Sequence, residues 1–310
     1  MSRATDRDTS PVMDRVMSRD VNGVLAGVDP RELSVAALLW AADEAARRKL
    51  GLRLVTTVPP VHDRLPYDAF HHRSALRTRA ESALANAEDL VRELHPGLPC
   101  ATELVDGAPA AVLRERAARA ALVVVGSRRP NRIAEVFGEG SVALPLTACA
   151  ACPVVVVRAP EPTAVHPPTL VVGVDGSASC RAAVAFAVEE ASLRGARLRA
   201  VWVRPRPVLA REDADEGLAG RRRLLAESVA GRAGRHPEVE VVEEVVGGHP
   251  VEQLALASRS ALALVVGRRG RGGYPGMRLG STVHGLLHHA ECPVVTVPGP
   301  PVDRSRTARG

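Results

Sequence analysis

The chain reads as an α/β protein of two tandem, doubly wound, Rossmann-like domains, each built on a five-stranded parallel sheet. Three observations carry this reading. The 310 residues leave room for two domains of about 150 residues each. Short, nearly continuous Val and Leu runs alternate with helical patterns, as parallel strands do when helices cover both faces of their sheet. The two halves also repeat each other. Val24–Asp29 (VLAGVD) answers Leu170–Asp175 (LVVGVD), Ala121–Ser127 (ALVVVGS) answers Leu262–Arg268 (LALVVGR), and Cys152–Val157 (CPVVVV) answers Cys292–Val297 (CPVVTV). Ala36–Arg48 matches Ala182–Arg194, which sets Trp40 opposite Phe186 and Glu44 opposite Glu190. A period of one whole domain is too long for a solenoid and marks a tandem duplication.

Residues 1–20 are polar and charged, unlike a signal peptide, and are expected to be disordered. The first domain is expected over 21–158, with strands near 21–28, 52–58, 100–105, 121–125 and 153–157. Residues 159–168, in the proline-rich run RAPEPTAVHPP, read as a semi-rigid linker. The second domain is expected over 169–298, with strands at 169–174, 197–203, 239–246, 262–266 and 293–297 and helices at 178–194, about 213–234, 250–260 and 280–290. A disordered tail, 299–310, follows. Aromatics make up only 2% of the chain, so Val, Leu and Ala must fill the cores. No apolar run reaches the ~18 residues of a membrane span. Five cysteines, an odd number, argue against a disulfide framework. A cytoplasmic protein with reduced thiols and no membrane partner is expected.

The net charge of +6 raises the question of nucleic acid. Lys49 is the only lysine, and the arginines are spread along several helices between Asp and Glu rather than gathered on one face, so no nucleic-acid partner is expected. Arg128, Arg129, Arg268, Arg269 and Arg271 are exceptions, because they fall in two candidate phosphate loops.

The stronger of those loops lies in Leu262–Thr282, LALVVGRRGRGGYPGMRLGST. A strand-like run breaks at Gly267; Gly270 follows three residues on, and after nine more residues come Gly280 and Ser281, where an apolar helical pattern of Val283, Leu286 and Leu287 begins. Glycines let backbone N–H groups approach an anion, and the unpaired N–H groups of a new helix favour the same anion. No lysine follows the last glycine, so this is not a P-loop.

Gly, two residues, Gly, nine residues, Gly, then Ser or Thr is the nucleotide loop of ATP-binding universal stress proteins, and Gly267, Gly270, Gly280 and Ser281 resemble it at every position. The resemblance covers about 270 residues and is specific in the second half. It implies strand order 3-2-1-4-5 in each domain, so that strands one and four flank the crevice at the carboxyl ends of the sheet. It also implies ATP, alone or with Mg2+, as the ligand. Asp175 would lie near the adenine or ribose, Gly173 and Val174 would line the base pocket, and the Gly267 loop would wrap the phosphates. The full candidate set is Gly173, Val174, Asp175, Val266, Gly267, Arg268, Arg269, Gly270, Arg271, Gly280, Ser281 and Thr282. Taken alone, Asp175 reads more readily as a turn or helix-start residue than as a ligand contact.

The first half keeps Gly27, Asp29, Gly126, Ser127, Gly140 and Ser141 as the matching candidates. Arg129 replaces the second glycine, the loop is one residue longer, and Pro30 stands where the second half has Gly176. If Gly270 takes φ > 0 or meets the phosphate at backbone distance, an Arg there costs on the order of 1 kcal/mol or blocks the approach. A weakened or empty first site is expected.

Other constellations carry less. Cys149 and Cys152 form a C-x-x-C that reads as core thiols, and His284 and His288 have metal-ligand spacing without an accompanying carboxylate motif. Arg271-Gly272-Gly273 is a single RGG triplet. No general base, metal-holding carboxylate pair or nucleophile motif stands beside the loop, so no catalytic or metal site is assigned. The expectation is an ATP-binding regulatory module of a stress or dormancy response that acts through an unidentified protein partner. A slow ATPase or phosphotransfer enzyme, or a nucleotide-independent scaffold, are the alternatives. Strand five of each half, Pro153–Val157 and Pro293–Val297, falls at a sheet edge by the resemblance. The two halves are therefore expected to pair with each other as a pseudo-dimer, and the chains to form a homodimer.

Overall fold

The structure is a computed structural model and describes residues 23–60, 66–127, 142–158, 166–204, 214–270 and 278–300. The expected disorder of 1–20, most of the linker and most of the tail fall outside them. The first half runs β1 (Val24–Gly27), α1 (Val35–Arg48), β2 (Leu52–Val58), α2 (Pro66–Leu94), β3 (Cys100–Asp106), α3 (Pro109–Ala117), β4 (Leu122–Gly126), α4 (Ala143–Cys149) and β5 (Val154–Val157). The second runs β6 (Thr169–Val174), α5 (Ala178–Arg194), β7 (Arg197–Arg204), α6 (Ala214–Ala233), β8 (Val241–Gly247), α7 (Pro250–Ser258), β9 (Leu264–Gly267), α8 (Ser281–His289) and β10 (Val294–Val297).

Local chemistry sets the helix ends. Ser34 caps α1 by accepting the Ala37 N–H at 3.3 Å, and Ser177 caps α5 by accepting the Cys180 N–H at 3.0 Å. Lys49 and Gly195 close the two helices in the left-handed conformation, at φ 55° and 57°.

The strands follow the order β3-β2-β1-β4-β5 in the first half and β8-β7-β6-β9-β10 in the second, so each half shows 3-2-1-4-5 with parallel neighbours. One core, under α1, α2, α5 and α6, takes Val24, Leu54, Val172 and Leu198; the opposite core, under α3, α4, α7 and α8, takes Leu25, Val123, Val171 and Leu264. Strictly alternating burial of this kind is what Val-rich strands covered on both faces require.

The two strands expected at open edges cover each other. β5 and β10 pair antiparallel, with Val156 opposite Val294, Val155 opposite Val295 and Val154 opposite Thr296, and both cores run across the seam. Ten strands therefore form one continuous sheet.

Helices α1 and α5 meet over this seam through the residues that the repeat aligned. Glu44 and Glu190 are both fully buried. Arg48 binds Glu44 of its own helix, then Glu190 and Glu189 across the seam, each at 2.7 Å. Arg194 binds Glu190 of its own helix and reaches Glu44 at 3.1 Å. Each guanidinium also stacks on the other helix's aromatic, Arg48 on Phe186 at 5.2 Å and Arg194 on Trp40 at 5.0 Å. The duplicated Glu, Arg and aromatic positions thus make a reciprocal lock between the halves.

Burial, the Glu190 charge and the hydrogen bond between the two carboxyls push Glu44 up from 4.5 to about 7, against the pull of Arg194 and Arg48. Burial acts the same way on Glu190, but Arg194, the bond to Glu44 and Arg48 outweigh it and hold that carboxyl below its ordinary value. Because the folded Glu44 binds its proton more tightly than the unfolded one, its contribution is present at low pH and is lost as pH rises from about 4.5 to about 7. The Glu190 contribution is lost only below 4.5, in a separate window. Urea midpoints of the native chain should therefore fall between about pH 5 and 7 with a slope that Glu44→Gln flattens. Parallel slopes in the two proteins would refute the shared proton.

Candidate functional site

The carboxyl ends of β6 and β9 lie side by side, and three backbone segments converge there. The first is the turn after β6. Asp175 Oδ1 accepts the Ser177 N–H at 2.9 Å, Gly176 sits at φ 76°, and Ser177 opens α5. The second is the start of the loop after β9, Arg268 to Gly270. The third is the N-terminus of α8, where Gly280 is the capping residue and offers no side chain.

The three are locked together. Ser177 Oγ donates to Arg269 O at 3.2 Å, and Gly280 N–H donates to Arg268 O at 3.0 Å. A Cβ on Gly280 would lie 3.4 Å from Arg268 O and 3.7 Å from Gly270 N, so the loop runs directly against the helix start. A Cβ on Gly270 would lie 2.7 Å from Asp175 Oδ2. The Asp175 carboxylate therefore stands over Gly270. The first intrahelical bond of α8 runs from His284 N–H to Gly280 O, which leaves the Ser281 and Thr282 N–H groups without intrahelical acceptors at an exposed helix start. Short backbone, an uncapped helix start and two hydroxyls suit an anion, so the residues present fit a nucleotide phosphate.

The glycines divide by function. Gly267 is a packing glycine: a Cβ there would lie 2.7 Å from Ser179 C and 2.9 Å from Cys180 N, inside the first turn of α5. Gly173 is one too, with Leu254 and Val266 side chains 3.1 Å from the site of a Cβ. Gly270 does not take a positive φ; the approach of Asp175 is what excludes a side chain there. Val174 and Val266 are buried.

Arg268 reaches across to the other half. Its Nη1 donates to Ala150 O of the other half at 2.7 Å, and burial together with Arg269 lowers its pKa. Arg269 is exposed and reaches Arg278 O at 3.5 Å. Arg271 lies outside the described residues. The sequence reading missed two serines. Ser179 Oγ donates to Val297 O at 3.2 Å and receives the Arg269 N–H at 3.5 Å, while Ser177 ties the two loops together. Ser177 was legible as a helix cap; nothing in the local pattern marks Ser179.

A sequence profile described as the universal stress protein family matches residues 22–158 and again 168–298. The chain belongs to the universal stress protein family. Among proteins of this family, universal stress protein Rv2005c of Mycobacterium tuberculosis is 35% identical over 293 residues, covering 89% of this chain and 97% of its own. A universal stress protein of Mycolicibacterium smegmatis is 34% identical over 294 residues, covering 91% and 99%. The crystal structure of a universal stress protein from Archaeoglobus fulgidus superposes with a TM-score of 0.68 over 90% of this chain and 97% of its own, at 18% identity, and so shows the same fold.

The first universal stress protein repeat places its counterparts differently. Gly126 is again a packing glycine, with Ser34 Cβ 2.5 Å from the site of a Cβ, and Gly27 meets Leu113 and Val125 at 2.9 and 3.1 Å. Ser127 N–H bonds Val157 O at 2.8 Å, as Arg268 N–H bonds Val297 O. Asp29 repeats the Asp175 turn, accepting the Arg31 N–H at 2.9 Å. Pro30, whose ring fixes φ near −65°, occupies the place of left-handed Gly176. Counted from the aligned Asp, α1 begins three residues later than α5, and Arg79 anchors the intervening loop through Pro30 O and Arg31 O at 2.9 and 3.2 Å. Gly140 and Ser141 lie outside the described residues, as do Arg128 and Arg129.

Of the discounted groups, Cys152 is buried, with its thiol pushed up to about 12 by burial, as expected of a core thiol. Cys149 is not in the core: it is half-buried and receives Arg278 Nη1 at 3.3 Å. His284 and His288 pack ring to ring at 4.9 Å. Among the described residues, no cluster of His, Cys, Asp and Glu could hold a metal ion, and no helix is long and apolar enough to cross a membrane.

Proposed function

We propose that this universal stress protein is a cytoplasmic regulatory module that binds one adenine nucleotide, ATP, in its second repeat. The observation that carries this reading is the junction of Asp175, Gly270 and Gly280, where the motif spacing and the uncapped start of α8 fall at one point of the crevice. Asp175 stands at the base or ribose end and the Gly270–Ser281 side at the phosphates. Occupancy of the site sets the chain's shape or its choice of protein partner.

The rival reading is an enzyme. It needs a base or water-orienting group at the γ-phosphate; the Asp175 carboxylate beside Gly270 already receives the Ser177 N–H. With ATP and Mg2+, phosphate release should stay far below the ~1 s⁻¹ of an ordinary metabolic enzyme. Fast turnover that Asp175→Ala abolishes would move the assignment to an ATPase. Mass spectrometry of the nucleotide that co-purifies tests the ligand itself, and a nucleotide other than an adenine one would overturn it.

A further inference from the structure

In the first repeat, a cavity of about 460 Å3 opens at the amino ends of β1 and β2, under the C-terminal end of α3. Three arginines line it, Arg53 on β2 and Arg116 and Arg119 at the end of α3, with Glu115 beside them. Arg116 is neutralised: it binds Glu103 at 2.7 Å and Glu115 at 2.9 Å. Arg53 and Arg119 have no ion pair or hydrogen-bond partner for their guanidinium groups among the described residues.

The second repeat shows what Arg53 lacks. In the sheet register, Arg53 lies opposite Leu25 of the first strand, and Arg199 lies opposite the matching Val171. Glu103 lies opposite Val55, and Glu244 opposite the matching Val201. Arg199 and Glu244 form a two-pronged pair at 2.9 and 2.7 Å. The same pair is available to Arg53 and Glu103, but Arg116 has captured Glu103 from α3. At the position of Arg116, α7 carries the buried Ala257, so in the second repeat the carboxylate stays with the strand arginine. One added arginine thus strips Arg53 of its carboxylate and leaves two guanidinium groups without an ion-pair partner around a cavity that Glu115 also lines.

We propose that this cavity binds a small dicarboxylate, with Arg53 and Arg119 each taking one carboxylate. The guanidinium fork matches a planar carboxylate through two parallel N–H···O bonds. In the same frame of the other repeat the partner of the strand arginine is a carboxylate, and each of the two guanidinium groups without an ion-pair partner can take one carboxylate. The walls between them include Leu25, on the α3 face of the sheet, and Ala120, suited to a short hydrocarbon spacer. This site is independent of the nucleotide reading.

The test is calorimetric titration of the full chain with succinate, and in parallel with acetate and inorganic phosphate, at constant ionic strength. Saturable binding of one succinate per chain is expected, weakened at least about tenfold in both Arg53→Gln and Arg119→Gln. It should be unchanged in Arg114→Gln, which removes an exposed charge from the same helix outside the cavity. Arg116→Ala restores the second repeat's arrangement, frees Glu103 for Arg53 and should abolish binding although it removes a neutralised charge. No saturable succinate binding, phosphate binding as tight as succinate, equal loss in Arg114→Gln, or undiminished binding in Arg119→Gln or Arg116→Ala would each overturn the proposal.

Discussion

Aspartate at both Val155 and Val295 is expected to unfold the chain or split its sheet at the seam. The two valines lie directly opposite each other in the β5–β10 pairing and are completely buried in the core under α1 and α5. Each carboxylate would enter a dry, apolar layer without a cationic partner, and the pair would repel at cross-strand distance. A loss of about 5 kcal/mol or more is expected, enough to unfold a marginally stable domain. Light scattering should show aggregation and circular dichroism a loss of structure. A double variant that stays folded, soluble and unchanged in mass would show that the two strands do not pair.

Arg194→Met is the second large effect. Arg194 is 3% exposed and serves both buried carboxylates, so its removal leaves Glu44 and Glu190 with Arg48 alone and opens a gap against Trp40. Breaking a buried ion-pair network by removing one partner typically costs about 3–5 kcal/mol, and that loss is expected in urea unfolding. Arg223→Ala, which removes a pair exposed on both sides, should cost less than about 0.5 kcal/mol. Replacing Glu44, Arg48, Glu190 and Arg194 together by apolar residues of similar size should cost far less than Arg194→Met, because no buried charge is then left uncompensated. A quadruple variant as unstable as the single one would mean that the cluster stabilises by more than charge balance.

The fold was legible because its signals are local or repeated. Val-rich runs and the aligned Glu, Arg and aromatic positions all lie on the surface of the sequence. What those aligned residues do was not legible: a repeat places Trp40 against Phe186 in an alignment, whereas in space each aromatic receives the arginine of the opposite helix. The candidate site was legible in outline. Gly270 and Gly280 meet where the spacing places them, but Gly267 and Gly126 answer to helix packing at contacts that neighbouring residues do not reveal. The contact of Arg268 was not legible for a similar reason. Its partner, Ala150 O, lies 118 residues away in the other half and is a backbone atom that no side-chain pattern announces.

Because Gly126 packs against Ser34, changing it perturbs the first repeat as a whole, and Asp29→Ala is the milder probe of that half. The most direct test of the account is therefore a calorimetric titration of ATP into the native chain, Gly270→Val and Asp29→Ala. One nucleotide per chain, binding lost in Gly270→Val with the fold retained, and binding unchanged in Asp29→Ala are expected. Two equal sites, or a single site that survives Gly270→Val and disappears in Asp29→Ala, would contradict it.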